Sequence, residues 1–504
     1  MKRLWVVTTL VVALLAVAGG STPAAAAPGY VSRAGTTLVD PAGRPLKLNG
    51  VNLGGQLMWE GWIIGAGMQA ETPLYDNLVA LAGAQRAAAF RADMRAGFVT
   101  LADFQAMKAM GINCVRIPFN HRVLANDGDG GFATLDRLIS FAEQTGIYVV
   151  LDMHGVPGGQ SAGFIADPGP GMWVWYDTAA QAQTAALWRR IAQRYAGRSV
   201  IAGYDLINEP DAPVSKLLGL YHRIIGSIRE VDPNHMVIVE GNSYARDFTD
   251  FTRQDDNLAF SFHLYPFNTS DADADLAKWI AAAEAADVPL WNGEWGESGY
   301  ADVERDAARF AARPELDGQT MWTWKKADRN RFWGFPTPTN PSPVKFKVSD
   351  AWFNVAHAIS QPADAPVPTT EETEAGLRSF VSAIDFGAGT TDSRLASVLR
   401  GLSGGASDAL VATNPVPAPV SAPAPVAAPA ATPATTPAHA TTTVPVIPVK
   451  GAPAKAKKAA PCSRPRGSSK KAKARRAACR RRVAAAKARR ARAAAKRRAA
   501  AGRR

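Results

Sequence analysis

Two glutamates in the middle of the chain carry the most specific chemical signal in the sequence. Glu209 and Glu294 are 85 residues apart, and each follows a short apolar run that predicts a β-strand. Two facing carboxylates can cleave an acetal by double displacement, in which one attacks the acetal carbon and the other protonates the leaving oxygen. Burial and a neighbouring carboxylate favour the protonated acid. A nearby cation, for which Arg116 is the candidate, favours the ionised nucleophile.

Further polar and aromatic side chains follow other predicted strands. They are Arg116, His154, Asn208, His263, Tyr265 and Trp324. The chemistry of a parallel barrel takes place at the carboxyl ends of its strands, so these side chains should share one rim with the glutamates. Structural alternatives stay open: salt-bridged acids, an ion-paired Arg116, core histidines or a metal pair with Asp152, and Trp324 as barrel core.

Eight short apolar runs, rich in residues that favour β-strands, alternate with helical patterns along the body of the chain. The runs are 46–53, 114–118, 148–153, 201–207, 236–239, 258–264, 289–291 and 320–324. A capping box at 100–103 and a stop at Gly111 predict one of the helices. The other predicted helices are 179–195, 216–230, 276–286, 303–313 and 350–359.

This alternation predicts an α/β fold, specifically a (β/α)8 TIM barrel of about 330 residues. A doubly wound open sheet is the alternative, but no Gly-x-Gly-x-x-Gly motif follows the first strand. Two amphipathic patterns after the barrel, beginning at Leu377 and Leu395, predict short helices that either pack on it or remain loose.

The motifs at the strand ends resemble those of glycoside hydrolase family five, the cellulase family. The motifs are LNGVNLGG at 48–55, VRIPF at 115–119, LDMHGVPGGQ at 151–160, NEP at 208–210 and GEWG at 293–296. They occur in the order typical of that family and extend from about residue 50 to 352. The resemblance implies a (β/α)8 retaining glycosidase with Glu209 as the acid/base and Glu294 as the nucleophile.

The same resemblance implies roles for the other strand-end residues. Asn208 would bond the sugar 2-hydroxyl, and Arg116 and Tyr265 would orient Glu294. His154 and His263 would line the central subsite, and Trp324 would be its stacking floor, since a flat indole suits the apolar face of a pyranose. Trp62, Trp173, Trp175 and Trp333 would form outer subsites or pack within loops. No metal and no cofactor is implied.

Local sequence is most similar to the exo-β-1,3-glucanase branch of the family, but it departs from that branch at two places. Gln56 stands where the branch usually has Trp, and Gly296 follows Trp295 where it usually has Ser. A β-1,3- or β-1,4-linked glucan is therefore the expected substrate, with β-mannan and glycolipid glycans as alternatives. A non-catalytic carbohydrate-binding barrel is the competing function.

The positive charge of the protein is confined to its C-terminal end. Residues 451–504 carry 22 of the 57 Lys and Arg residues and no acid, so the overall charge of +13 leaves −9 for the rest. A mildly acidic body argues against nucleic acid as a partner. The tail is expected to be disordered and to bind anionic cell-envelope polymers, or to be a solvated tail without a partner.

The ends of the chain predict export and a multipart organisation. Residues 1–27 resemble a signal peptide, and their apolar core of about 15 residues is too short for a transmembrane anchor. The predicted parts are a signal peptide (1–27), the barrel (28–361), a helical extension (362–413), a Pro/Ala/Thr linker (414–450) and the Lys/Arg/Ala tail (451–504). We expect a secreted monomer in which Cys462 and Cys479 could pair.

Overall fold

The computed structural model describes residues 29–403, except 126–129, 169–172, 268, 297–298, 329–330, 333–334 and 337–340. The predicted signal peptide, linker and basic tail lie outside the described residues, as do Trp333, Cys462 and Cys479. Within the described part of the chain, no helix combines the length and apolar character needed to cross a membrane.

Eight parallel strands form a closed barrel, which confirms the predicted (β/α)8 fold. They are β3 (Leu48–Asn52), β4 (Cys114–Asn120), β5 (Tyr148–Gly155), β6 (Ile201–Asp205), β7 (Met236–Glu240), β8 (Leu258–Leu264), β9 (Leu290–Trp295) and β10 (Leu316–Met321). Sequential strands are neighbours, and β10 closes the barrel by pairing Gly318 with Leu48.

The helices surround this barrel. They are α1 (Glu71–Ala82), α2 (Ala84–Gly97), α3 (Leu101–Ala109), α4 (His121–Ala125), α5 (Gly131–Thr145), α6 (Thr178–Tyr195), α7 (Val214–Arg229), α8 (Asn242–Ala245), α9 (Ala272–Ala286), α10 (Tyr300–Ala311), α11 (Asp350–Ser360), α12 (Thr370–Ala383) and α13 (Ser393–Leu402). The predicted capping box is present at the start of α3, where Thr100 and Asp103 bond reciprocally.

Small strands lie outside the barrel. They are β1 (Ser32–Ala34), β2 (Thr37–Val39), β11 (Lys325–Ala327), β12 (Arg331–Phe332), β13 (Phe335–Pro336), β14 (Val344–Phe346) and β15 (Thr390–Thr391). The β1–β2 hairpin is attached to the barrel because Leu38 N–H donates to buried Asp317 of β10 over 2.8 Å.

The barrel interior is layered because every second side chain of a strand points inward. Its apolar layer includes Cys114, Tyr148, Ala202, Met236 and Trp291. Two to four residues further along the strands, the inward positions become polar, as at Arg116, Asp152, Asp205, Glu240 and His263. Charged groups at the carboxyl ends of the strands therefore rest on an apolar, water-excluded floor.

The last strand lies earlier in the chain than the sequence predicted. The expected run of 320–324 is in fact β10, Leu316–Met321, so Trp324 lies beyond the strand end. Polar residues disguise the start of this strand: Asp317 accepts backbone N–H groups and Gln319 contacts Trp295, and both are buried. A hydrophobic pattern cannot identify a strand whose buried side chains are polar.

The two helices of the C-terminal extension pack on the barrel. Leu377, Phe380, Leu395 and Leu399 are buried, and the Phe380 ring lies 4.2 Å from the ring of Trp352 in α11. The sequence left this packing open because an amphipathic pattern shows that a helix has an apolar face but not what covers that face.

We expect Gly50→Ala to destabilise the protein by about 3 kcal/mol or more, because a Cβ at this position in β3 would lie 1.7 Å from the backbone oxygen of Cys114. Gly219→Ala in α7 is the matched control, since nothing lies within 4 Å of its added Cβ and alanine favours the helix. Urea unfolding of both variants measures the difference. Equal stability of the two variants would contradict the close strand approach.

Candidate active site

A single buried guanidinium organises the polar end of the barrel. Arg116 projects inward from β4 and contacts four carboxylates, over 3.0 Å to Asp152, 2.8 Å to Asp205, 2.8 Å to Glu240 and 2.7 Å to Glu294. These carboxylates come from four different strands, and the guanidinium is inaccessible to solvent. Arg116 thereby links β4 to β6, β7 and β9, which are not its neighbours in the barrel, and it contacts Glu294 directly.

The carboxylate of Glu294, near the end of β9, is held at both oxygens. Oε1 accepts a bond from Arg116, and Oε2 accepts the hydroxyl of Tyr265 over 2.8 Å. Hydrogen bonds donated to both oxygens favour the ionised form. The structure thus brings Arg116 and Tyr265 to Glu294 as the sequence predicted, and a fixed carboxylate with two donors is arranged like a nucleophile.

Glu209 lies after β6, close to Glu294 and beside His263. One oxygen of each glutamate and a ring nitrogen of His263 all lie within 4.8 Å of one another. His263 Nδ1 is 2.9 Å from Glu209 Oε1 and 3.6 Å from Glu294 Oε2. The two carboxylates therefore face each other at the mouth of the barrel, with an imidazole between them.

Asn208 and His154 border the two glutamates. The amide oxygen of Asn208 accepts a bond from Arg116 over 2.9 Å, so its amide nitrogen faces His154 Nε2, 3.4 Å away. His154 Nδ1 is bonded to Asp152 over 2.7 Å, and its ring stacks on Trp322 at 5.0 Å and 11°. Seven of the eight residues predicted at strand ends thus lie in one connected network.

Nearby carboxylates raise the pKa values of both histidines of this network. Burial opposes the charge on His154, but Asp152 and two further carboxylates outweigh it and raise its pKa to about 10. Burial also opposes the charge on His263, yet Glu240 and Glu294 raise its pKa well above the ordinary value. The carboxylates therefore favour the cationic form of both imidazoles, which lie in the same network as Arg116.

The acidic groups differ in pKa because they differ in their contacts. Burial would raise the pKa of Glu240, but His263 and Arg116 lower it to about 2. Burial and the charge of Glu240 raise the pKa of Asp205 well above its usual range, although Arg116 opposes the rise. Burial also raises the pKa of Glu294, against His263 and Arg116. The ionised form of Glu294 therefore depends on the cations that surround it.

The structure does not bring Trp324 to this network. Its side chain is fully buried, its indole N–H donates to Asp103 over 2.8 Å, and its ring stacks on Phe386 of the extension. Trp322, which follows β10 directly, stands on His154 instead. The prediction that Trp324 lines the site is therefore wrong, because the strand ends at Met321 rather than at Trp324.

Three other site residues were not identified from the sequence. Glu240 ends β7 directly after its apolar run, so the rule that found the other strand-end residues would have found it. Asp205 lies inside a run assigned to a strand, where a lone acid gives no signal. Glu60 accepts the indole N–H of Trp62 over 2.6 Å and lies 3.6 Å from His154 Nε2, a contact that only folding creates.

Three groups of the described residues have a spacing that could hold a cation. They are Asp152, His154 and Glu294; Glu209, His263 and Glu294; and Asp152, Asp205 and Glu240. The guanidinium of Arg116 contacts at least one carboxylate in each group. A side chain of this protein thus supplies positive charge to every group.

Comparison with known proteins confirms the resemblance inferred from the motifs. Residues 88–328 match the family Cellulase (glycosyl hydrolase family 5). A beta-xylosidase of Phanerodontia chrysosporium is 32% identical over 296 residues, which are 53% of this chain and 61% of that protein. A probable glucan 1,3-beta-glucosidase A of Aspergillus fumigatus is 30% identical over 277 residues, 49% of this chain and 64% of that protein. The chain thus spans less than two thirds of these relatives.

Among solved structures, the chain matches the rutinosidase from Aspergillus niger. It is 20% identical, with a TM-score of 0.46, and the match covers 59% of this chain and 93% of that one.

We expect Arg116→Met to lower the free energy of unfolding by about 3–5 kcal/mol at pH 7, because it leaves several buried carboxylates without their counter-charge. Arg189→Met is the control, since its pair with Glu230 is solvent-exposed and should matter by less than about 1 kcal/mol. Chemical denaturation measures both. A loss at Arg116 no larger than at Arg189 would refute its central role.

The pH dependence of this loss has a definite sign. The pKa of Glu240 is depressed in the folded protein from its ordinary value of 4.5 to about 2. Its ion pairs therefore stabilise the wild type above about pH 4.5, and this stabilisation is lost as the pH falls toward 2. The stability difference between wild type and Arg116→Met should narrow over that interval.

Proposed function

We propose that this chain is a secreted, retaining β-glycosidase that hydrolyses O-glycosidic bonds of a β-glucan, with Glu294 as nucleophile and Glu209 as acid/base. The observation that carries the proposal is the approach of the two carboxylates, which have oxygens within 4.8 Å of each other. Retaining enzymes place their carboxyl groups about 5–5.5 Å apart, whereas inverting enzymes need about 6.5–9.5 Å to admit a water. The match to a glycoside hydrolase family supports the same chemistry.

The two glutamates take different roles because their contacts differ. Glu294 accepts bonds from Arg116 and Tyr265, which favour its anion and hold it still for attack on the anomeric carbon. As the glycosyl–enzyme bond forms, protonated Glu209 gives its proton to the leaving oxygen. Glu209 then removes a proton from water, and the resulting hydroxide displaces Glu294 and restores both carboxyl groups.

The sugar in the central subsite would contact the polar network on one side and an indole on the other. Arg116 binds the amide oxygen of Asn208, so the amide nitrogen of Asn208 points away from the guanidinium. This orientation suits donation from the amide nitrogen to the sugar 2-hydroxyl. Trp322 takes the stacking role, because it lies on His154 at the strand ends. Phe267 is 66% exposed and stacks on Tyr265 at 5.4 Å, so it offers a platform for the leaving-group sugar.

The sugar that the protein accepts is a second question. One relative is a beta-xylosidase, which is named for a pentoside, and another is a probable glucan 1,3-beta-glucosidase, which is named for a hexoside. We propose a β-1,3- or β-1,4-glucan as the substrate, with a xyloside, a β-mannan or a glycolipid glycan as alternatives. A carbohydrate-binding barrel without activity is the competing function. The Arg116, Tyr265 and His263 contacts to the glutamates favour catalysis over it.

Export and envelope association belong to the same proposal. The basic, Lys- and Arg-rich residues 451–504 suit anionic polymers of the cell envelope, and residues 1–27 suit a cleaved leader. Deleting residues 451–504 should abolish salt-sensitive retention on cell walls and leave hydrolysis intact.

The decisive test is hydrolysis of laminarin, carboxymethyl cellulose, glucomannan and aryl β-glucoside and β-xyloside by purified protein. We expect Glu294→Gln to reduce activity at least about 10³-fold, because a neutral amide cannot displace the leaving group. Glu209→Gln should lose hydrolysis while sugar binding is retained. Wild-type binding without any turnover would instead establish the non-catalytic barrel.

Matched substitutions of two tryptophans test the placement of the floor. Trp322→Leu should lower kcat/KM at least about tenfold, because it removes the stacking surface in the central subsite. Trp324→Leu should leave kcat within about twofold but cost about 2 kcal/mol or more of stability, because this indole is core. Kinetics and thermal unfolding of both variants measure the split. The reverse pattern would restore Trp324 as the floor.

A further inference from the structure

Glu240 is a buried carboxylate of the active site to which the mechanism above gives no task. It ends β7, it is fully buried, and its side chain contacts Glu209, Arg116 and His263. Oε2 accepts the backbone N–H of Glu209 over 2.6 Å, and Oε1 accepts a bond from Arg116 over 2.8 Å. Oε1 also lies 3.3 Å from His263 Nε2, an ion-pair distance. Glu240 thus contacts the backbone of Glu209 directly and its side chain indirectly, through His263.

The backbone contact acts on a strained residue. Glu209 has φ of +44°, in the left-handed region that residues with a side chain rarely adopt. Such a conformation persists only where its surroundings hold it. A hydrogen bond to an ionised carboxylate is shorter and stronger than one to a neutral acceptor, and Glu240 makes this bond to the strained residue itself. The direction in which the Glu209 side chain leaves the backbone therefore depends on Glu240.

The second contact runs through the imidazole. His263 also lies between Glu209 and Glu240, with Nδ1 2.9 Å from Glu209 Oε1 and Nε2 3.3 Å from Glu240 Oε1. The charged groups that face Glu240 are Arg116, His263 and Asp205, and the hydroxyl of Tyr221 bonds its carbonyl oxygen. His263 thus hydrogen-bonds the Glu209 carboxyl through Nδ1, while Nε2 lies at ion-pair distance from Glu240.

We propose that Glu240 is a positioning residue for the acid/base: it fixes Glu209 through the backbone N–H and through His263, and so aligns proton transfer to the leaving oxygen. This inference rests on the function proposed above. The alternative is that Glu240 only balances the charge of Arg116. Because Arg116 also supports Glu294, loss of Glu240 would in that case disturb Arg116 and impair both glutamates. The two roles predict different dependence on the leaving group.

The test compares two aryl β-glucosides, one with a phenol leaving group and one with 2,4-dinitrophenol. Dinitrophenolate departs without protonation, so formation of the glycosyl enzyme then bypasses Glu209. Glu240→Gln should lower kcat/KM at least about 30-fold for the phenyl glucoside and at most about threefold for the dinitrophenyl glucoside. Azide should restore kcat of the variant on the activated substrate, since it attacks the glycosyl enzyme without a base.

A matched variant on the other glutamate is the control. Tyr265→Phe removes a donor to Glu294 and should lower kcat/KM of both glucosides by a similar factor. In a Glu209→Ala background, Glu240→Gln should lower kcat/KM by less than a further factor of about two, because the residue through which Glu240 acts has already been removed. Glu240→Asp keeps the charge but withdraws the carboxylate, so it should show the same leaving-group dependence, and it serves if Glu240→Gln does not fold.

An equal loss on both glucosides, or full additivity with Glu209→Ala, would overturn the positioning role and leave the proposed function intact. Normal kinetics of Glu240→Gln would do the same. A wild-type protein that hydrolyses neither these glucosides nor any of the polysaccharides and the aryl xyloside named above would instead overturn the proposed function, and this inference with it.

Discussion

The active end of the barrel depends on one buried cation. Arg116 binds carboxylates from β5, β6, β7 and β9, so a single side chain on β4 spans the barrel interior. Removing charges from water is costly, and the cost is recovered only when each charge has a close partner of opposite sign. The position of Glu294 is therefore set by an electrostatic requirement of the whole network.

The apolar layer beneath this network determines how strongly its charges act. Cys114, Tyr148 and Trp291 close the barrel below Arg116 and exclude water from that side. In such surroundings the interaction between charges is stronger than in water, so pKa values diverge among chemically identical groups. Asp205 is driven toward its neutral form, whereas Glu240 stays ionised between Arg116 and His263. Carboxyl groups that point into the same barrel interior thus have different pKa values.

Most of the barrel could be predicted from the sequence because its strands are short apolar runs and its helices carry their own boundary signals. Cys114–Asn120 and Tyr148–Gly155 begin at their predicted residues, and the capping box at Thr100 begins α3. The predicted bounds were wrong for the strand whose buried side chains include polar groups. β10 begins at Leu316 and includes buried Asp317. The indole that follows the strand end and stacks on His154 is therefore that of Trp322, and not that of Trp324.

The sequence by itself determined the fold class and identified Glu209 and Glu294 as the candidate catalytic pair, because strand periodicity and motif order are local properties of the chain. Only the tertiary structure decided which groups touch. The contacts of Glu240 with Glu209 and Arg116, and those of Glu60 with His154, join residues from 31 to 124 positions apart. The structure also decided that the extension containing Phe380 covers the barrel. Such contacts follow from barrel closure, which brings every strand end to one rim and which no local pattern encodes.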